Sequence, residues 1–147
     1  MPNNPTSILV VAAALARADG QWLMHRRPLE KMHGGLWEFP GGKVEASENT
    51  RQALVRELAE ELDIAVDPRA LEPVCFADNC ATDADPSLVI LLYICREWRG
   101  DPVEQEGGTI GWFWPEQALC LDRPPLDIAL CERLFGKNRA GDKEGPE

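Results

Sequence analysis

The residues best equipped for chemistry lie between Gly41 and Ile64, in the stretch GGKVEASENTRQALVRELAEELDI. Glu57, Glu60 and Glu61 stand at i, i+3 and i+4. On a helix of about 3.6 residues per turn they share one side. Carboxylates gathered in this way repel one another and would destabilise a free helix. A hard divalent cation removes the conflict, because Mg²⁺ takes oxygen ligands and commonly bridges carboxylates to a substrate's phosphates. Phosphoryl chemistry asks for phosphates held in place, their charge neutralised, and a water aimed in line. One of these acids, or a neighbour, can take the water's proton. Arg56 cannot give up its own proton. It either orients a carboxylate through a charge-assisted hydrogen bond or makes an ordinary ion pair with Glu60, worth roughly 0.2–0.5 kcal/mol.

The element that must present these acids is a helix. Asn49 followed by Gln52 approximates a capping box, which starts the helix at Thr50. Leu54, Leu58 and Leu62 form an apolar stripe beside the acids. A glycine turn, Gly41-Gly42, leads in.

This spacing resembles the Nudix hydrolase pattern G-x5-E-x7-R-E-U-x-E-E-x-G-U, where U is a bulky aliphatic. Gly42, Glu48, Arg56, Glu57, Leu58, Glu60, Glu61 and Ile64 match it, and Asp63 replaces the final Gly. Asp is among the few other residues that visit the left-handed region, so the expected cost is at most about 1 kcal/mol. Upstream, GLWEFPGGK (Gly35–Lys43) resembles the MutT branch of the family, which hydrolyses nucleoside triphosphates, oxidised purine nucleotides included. The similarity runs from about Ser7 to Leu134.

The resemblance implies a Mg²⁺-dependent pyrophosphohydrolase, with Mn²⁺ as a substitute ion, that turns a (d)NTP into (d)NMP and pyrophosphate. Water attacks the β-phosphorus in that branch. It implies metal ligation by Glu57, Glu60, Glu61 and the Gly41 carbonyl, with Glu106 as a further ligand or base. Glu104 competes with Glu106 for that place. Arg27, counted back from Gly42 without a gap, matches an arginine on the substrate phosphate; an exposed arginine is the plain alternative. Lys43 either reaches a phosphate or is a surface lysine. Glu38, Phe39, Pro40 and Gly42 fall on the substrate side. Trp37 and Phe39 are more often core than stacking residues, whereas Glu38, flanked by aromatics, needs a partner. Asp127 matches an Asn that hydrogen-bonds the nucleobase, or else it simply serves the start of the last helix. An ionised Asp only accepts hydrogen bonds, which brings cytosine nucleotides in beside 8-oxo-dGTP. No arginine in the loop Asp83–Ser87 matches one that MutT uses near the base. His25 and His33 lack a partner set and are given no chemistry.

With 147 residues the chain is expected to form one domain, ordered over about 7–135, with a disordered tail at 136–147. A net charge of −10 argues against direct nucleic-acid binding and suits a substrate that arrives with a cation. Cys75, Cys80, Cys95, Cys120 and Cys131 form no CxxC pair; reduced, mostly buried thiols are expected, in a soluble cytoplasmic protein without a membrane span. The partner is a small-molecule nucleoside triphosphate, and the protein is a monomer or homodimer.

In chain order the pattern predicts a loose start at Met1–Thr6 and a strand at Ser7–Arg17 buried on both faces. Asp19-Gly20 then turns into an antiparallel strand Gln21–His25, making a hairpin. Further strands are predicted at Leu71–Ala77, Ser87–Trp98 and Thr109–Trp114. A short helix should follow Pro115, and a last helix, Leu126–Phe135, should bury Ile128, Leu130, Cys131 and Leu134. Trp98, Trp112 and Trp114 are read as core. This mixture gives α+β or α/β layers, and the resemblance sharpens it to a mixed β-sheet sandwiched between α-helices. A Nudix-fold binding module without catalysis is the rival of another class, but such modules tend to lose box carboxylates, and here all are present.

Overall fold

The computed structural model describes residues 7–80, 82 and 86–136. The expected loose start, the tail from 137 onward and positions 83–85 of the Asp83–Ser87 loop lie outside the described residues. Strand β1 (Ser7–Leu15) sits inside a four-stranded mixed sheet. It pairs parallel with β6 (Ser87–Cys95) and antiparallel with β4 (Gly41–Lys43), and β5 (Leu71–Asp78) closes the far edge beside β6. A second, antiparallel sheet holds β2 (Trp22–Arg26) between β3 (Trp37–Glu38) and β7 (Thr109–Phe113). Helices are α1 (Thr50–Leu62), α2 (Pro115–Ala118) and α3 (Pro125–Phe135).

Side chains alternate across a strand, and β1 uses both faces. Val11, Ala13 and Leu15 join the core cluster of Leu54, Leu58 and Leu62 from α1. Ala12 and Ala14 join the cluster of Leu130, Cys131 and Phe135 from α3. The sheet therefore lies between two helices, as the Nudix resemblance implies. Helix α1 begins as predicted: Asn49 accepts from Gln52 N–H, and the Gln52 side chain accepts from Asn49 N–H. It ends at Asp63, which takes the left-handed conformation at φ 58°.

Several local expectations are corrected. Strands β1 and β2 do not form a hairpin; beyond their ends, one bridge, Ala16 to Trp22, joins the two segments. Both edges of β1 are taken by β4 and β6, so β2 crosses to the other sheet. Gly41-Gly42 is part of a strand, not a turn. A Cβ on Gly41 would stand 1.9 Å from the Val11 carbonyl, so only glycine lets β4 lie this close to β1. Strand β6 ends at Cys95, and Trp98 turns aside to stack on Trp112 at 6.1 Å. Trp114 is 40% exposed and Ile128 37% exposed, so neither is core. Helix α3 starts one residue early, at Pro125, where the fixed φ of proline suits a first helical position. Only Cys95 and Cys131 are buried; Cys80 and Cys120 are exposed. Among the described residues no helix is long and apolar enough to cross a membrane.

Leu58 is fully buried against β1. Leu58→Ala should cost about 2–5 kcal/mol, the usual range for a core leucine truncation. Chemical denaturation of both proteins checks this, and a loss below about 1 kcal/mol would mean that the helix–sheet contact closes over the gap.

Candidate active site

The site grows from one guanidinium. Arg56 Nε and Nη2 donate to the two oxygens of Glu48, Nη2 at 2.9 Å. Nη1 donates to Glu57 at 3.1 Å and to Glu60 at 3.3 Å, and Nη2 also reaches the Lys43 carbonyl at 3.1 Å. The orienting role and the i,i+4 pair with Glu60 thus coexist. Hydrogen bonding to Arg56 holds the Glu48 carboxyl down at about 2, while Glu48 pushes the Arg56 value further up. Because Glu48 also accepts from Glu45 N–H at 3.0 Å, it ties Arg56 to the loop that precedes the helix.

Beside this hub lie Glu57 and Glu61. Gly42 has no Cβ because the Glu57 carboxyl carbon lies 2.3 Å from where one would be. Glu61 accepts from Gly41 N–H at 3.2 Å. Burial raises the Glu61 carboxyl to about 8, and the charges of Glu57 and Glu106 raise it further, against relief from His25 and the Gly41 amide. Burial also raises Glu57, with Glu60 and Glu106 adding to it and Arg56 opposing. Glu57, Glu61 and Glu106 therefore form one electrostatic cluster. Glu60 is exposed and leans on Arg56.

Glu106 is brought there by the loop 103–108, which is fastened to the end of α1. Val103 N–H donates to the Leu62 carbonyl at 2.9 Å and Gln105 N–H to the Glu61 carbonyl at 3.0 Å. Glu104 does not face the cluster. Its Oε2 takes a 2.9 Å hydrogen bond from His25 Nε2, and its Oε1 accepts from Glu106 N–H at 2.9 Å. His25 is buried. Burial pushes its value down, but Glu38 and Glu104 outweigh that and leave it raised. The sequence reading gave His25 no role. The available signal was a polar residue in the apolar run Trp22–His25, which needs a partner if it is buried.

Just past β2, Arg27 Nη1 donates to Glu38 at 3.2 Å, and its Nε to the Met32 carbonyl at 2.8 Å. Glu38 thereby finds the partner it required. Arg26, Arg27 and the Gly107–Thr109 segment line a cleft of about 250 Å³. Lys43 is exposed. Phe39 and Pro40 are buried, and Phe39 contributes its backbone N–H, which donates to Asp127 Oδ1 at 3.2 Å. No side-chain cap bond starts α3; Asp127 lies in its first turn, and its carboxyl is bonded by Phe39. Burial raises Asp127 to about 7, with Glu38 adding to it and the Phe39 amide opposing.

Whether these residues suit a divalent cation rests on their donor chemistry. The acids of the cluster are hard oxygen donors, and Glu61 is largely buried with Glu57 and Glu106 beside it. That fits a hard cation. Among the described residues no group of three acidic, His or Cys side chains is arranged to hold an ion as it stands. Ligation by three carboxylates therefore requires side-chain movement.

The model of the NUDIX domain matches residues 6–132. The chain is 36% identical over 133 residues to the CTP pyrophosphohydrolase of Escherichia coli K12, covering 90% of this chain and 96% of that protein. It is 36% identical over 136 residues to the 8-oxo-dGTP diphosphatase of Haemophilus influenzae, covering 88% and 93% respectively. Its fold resembles the solution structure of the E. coli ORF135 protein, with a TM-score of 0.77 at 35% identity, covering 96% of this chain and 94% of that one.

The Asp127 value carries a stability consequence. The unfolded carboxyl sits near 3.8 and the folded one near 7. Between those values the folded protein holds a proton that the unfolded chain has lost, so stability falls as pH rises through this window. At about 1.4 kcal/mol per pH unit of separation, the loss reaches at most about 4 kcal/mol above pH 7. Asp127→Asn keeps an acceptor for Phe39 N–H and removes the proton. The variant should match the parent near pH 4 and melt higher at pH 8. Parallel stability curves from pH 4 to 8 would show that the carboxyl does not hold its proton.

Proposed function

The chain belongs to the NUDIX family, and from that premise we propose that it is a MutT-type pyrophosphohydrolase converting a (d)NTP and water into (d)NMP and pyrophosphate. The observation that carries the reading is the cluster of Glu57, Glu61 and Glu106 beside the Gly41-Gly42 strand, with Arg56 locked between Glu48 and Glu57. Nudix hydrolases generally use a divalent metal, usually Mg²⁺. Glu57, Glu61 and Glu106 would hold it here, with Glu60 and the Gly41 carbonyl contributing, and Mn²⁺ as a substitute. When bound, it supplies positive charge against the phosphate oxygens.

The chain's own residues do the rest. Arg56 fixes the Glu57 carboxylate and cannot itself titrate. A carboxylate of the cluster takes a proton from the attacking water. Arg27, held by Glu38, offers a planar guanidinium to the phosphate chain, and Lys43 is exposed and free to reach a phosphate. Water attacks the β-phosphorus, and the monophosphate oxygen leaves. Asp127 faces the base. Its Oδ1 is engaged by Phe39, and Oδ2 donates when protonated and accepts when ionised. With a value near 7 it matches part of what an Asn offers, which supports guanine-type bases and 8-oxo-dGTP first. A (d)CTP activity is the second reading, favoured by the E. coli relative of that name.

The whole chain serves as one domain in this reading. Its five free thiols, two of them exposed, support a cytoplasmic setting. A net charge of −10 supports a small-molecule nucleotide over nucleic acid as partner.

Glu57→Gln should lower kcat by more than about 100-fold, the scale of a lost major electrostatic contribution, with the fold retained. A chelator should abolish activity. Full turnover in either case would sink the mechanism. Hydrolysis in ¹⁸O-water should place the label in pyrophosphate; label in the monophosphate would mean attack at the α-phosphorus. A panel of guanine, oxidised-guanine and cytosine triphosphates should show Asp127→Ala changing kcat/KM ratios by roughly tenfold or more. An equal loss on all substrates would remove Asp127 from base recognition.

A further inference from the structure

The loop 103–108 has a first half fastened by its backbone to α1 and a second half held through the Glu104 carboxylate, which accepts from the Glu106 and Gly108 amides. Up to Gln105 it is tied by backbone to α1, whose last carbonyls lack helical partners. Beyond Gln105 the chain passes through Gly107, at φ +88°, and Gly108, where the backbone is permissive. Glu106 sits at this junction. Its own backbone N–H donates to the Glu104 carboxylate, at 2.9 Å. The other oxygen of that carboxylate is held by His25 Nε2, at 2.9 Å.

This pair is buried: the side chains of His25 and Glu104 are 7% and 10% exposed. A carboxylate accepts through both oxygens, and Glu104 Oε1 already receives the Glu106 amide, so Nε2 is the donor to Oε2. A Cβ on Gly108 would stand 2.9 Å from His25 Nε2 and 3.2 Å from Glu104 Oε2, so the loop wraps closely round the pair. A buried ionic pair is weak support for stability, since apolar residues of similar volume often do as well. Strands β2 and β7 already pair over five positions around His25, from Trp22–Phe113 to Arg26–Thr109. What the pair adds is a defined direction for the Glu104 carboxylate, and through it for Glu106.

We propose that His25 and Glu104 are positioning residues that hold Glu106 against Glu57 and Glu61 during hydrolysis. This rests on the proposed role of Glu106 in the reaction. Nε2–H of His25 fixes one oxygen of Glu104, and the other oxygen then receives the Glu106 amide. Without the clamp the Gly107-Gly108 hinge lets Glu106 drift. A misplacement of about 1 Å can cost about 100-fold in rate. The action is on the chemical step, so the effect falls on kcat and leaves KM alone.

The test uses the full chain with Glu104→Ala, Glu104→Asp, His25→Ala, His25→Gln, Glu106→Gln and the double variant Glu104→Ala/Glu106→Gln. Glu104→Ala and His25→Ala should lower kcat about 10- to 100-fold, with KM within about threefold of the parent. Glu104→Asp keeps the charge but is too short to reach His25 and the Glu106 and Gly108 amides together, and should lose kcat even if the alanine variant folds poorly. His25→Gln restores an N–H donor and should recover most of the rate. In the Glu106→Gln background, Glu104→Ala should cost nothing further, because the clamp acts only through Glu106. Hydrogen exchange of the metal-free protein should show the Glu106 amide exchanging at least about tenfold faster in Glu104→Ala, with core amides unchanged.

Full turnover by Glu106→Gln would remove the reading on which the clamp depends. Loss in Glu106→Gln, with parental kcat in Glu104→Ala and Glu104→Asp, would overturn the clamp alone. So would equal losses in both backgrounds, which mark a merely structural pair. A rise in KM at constant kcat for His25→Ala would also overturn it, placing His25 with Glu38, 3.9 Å from its Nδ1, and hence with Arg27.

Discussion

Too much negative charge meets on one helix face, and Arg56 is the group that makes this tolerable. It reaches Glu48, Glu57 and Glu60 through hydrogen bonds and stands 3.8 Å from Glu45. A fork with five donors can serve several carboxylates at once, which a lysine could not do. Because Glu48 lies before the helix and Glu57 within it, the same contact sets the angle between the Gly41–Lys43 strand and α1. The Lys43 carbonyl joins from the strand itself. The site and the packing of the helix are thus one arrangement.

That arrangement leaves Glu61 and Glu57 partly unpaid. Burial raises both, and neighbouring acids add to it, more than Arg56 beside Glu57 and His25 beside Glu61 offset. Such strain would be eliminated from a purely structural helix. Here it is supported by the core: Leu54, Leu58 and Leu62 bury the stripe beside the acids and fix the helix against β1. Hydrophobic burial, at about 1.5–3 kcal/mol for each fully buried leucine, is large enough to outweigh the repulsion among the acids. A site waiting for positive charge is the chemical meaning of that imbalance.

Around this centre the second sheet performs a different task. Strand β2 carries His25 to one side of the cluster, and Arg27 follows at its end. Strand β3 carries Glu38 between them, and Phe39 next to it meets Asp127 from α3. The clustered acids come from the helix and the loop before β7, whereas Arg27, Glu38 and Asp127 come from the second sheet, the segment that follows β2, and α3. The crossing of the chain from β1 to β2, which replaces the expected hairpin, is what separates these two sets.

The local features were legible in the sequence because they are made between near neighbours. The Asn49–Gln52 capping box, the Leu54–Leu58–Leu62 stripe, the acids at helical spacing and the left-handed Asp63 all depend on residues within about one or two helical turns. The family pattern extended that reach to the fold class and to a list of site residues. The sequence could not give the pairing of β2 with β7, since nothing in Trp22–Arg26 records that both edges of β1 are already filled. Nor could it assign His25, whose partner Glu104 is 79 positions away, or Asp127, whose partner Phe39 is 88 positions away. Contacts of that span exist only once the sheets and α3 have packed, and burial there sets which polar groups must find each other.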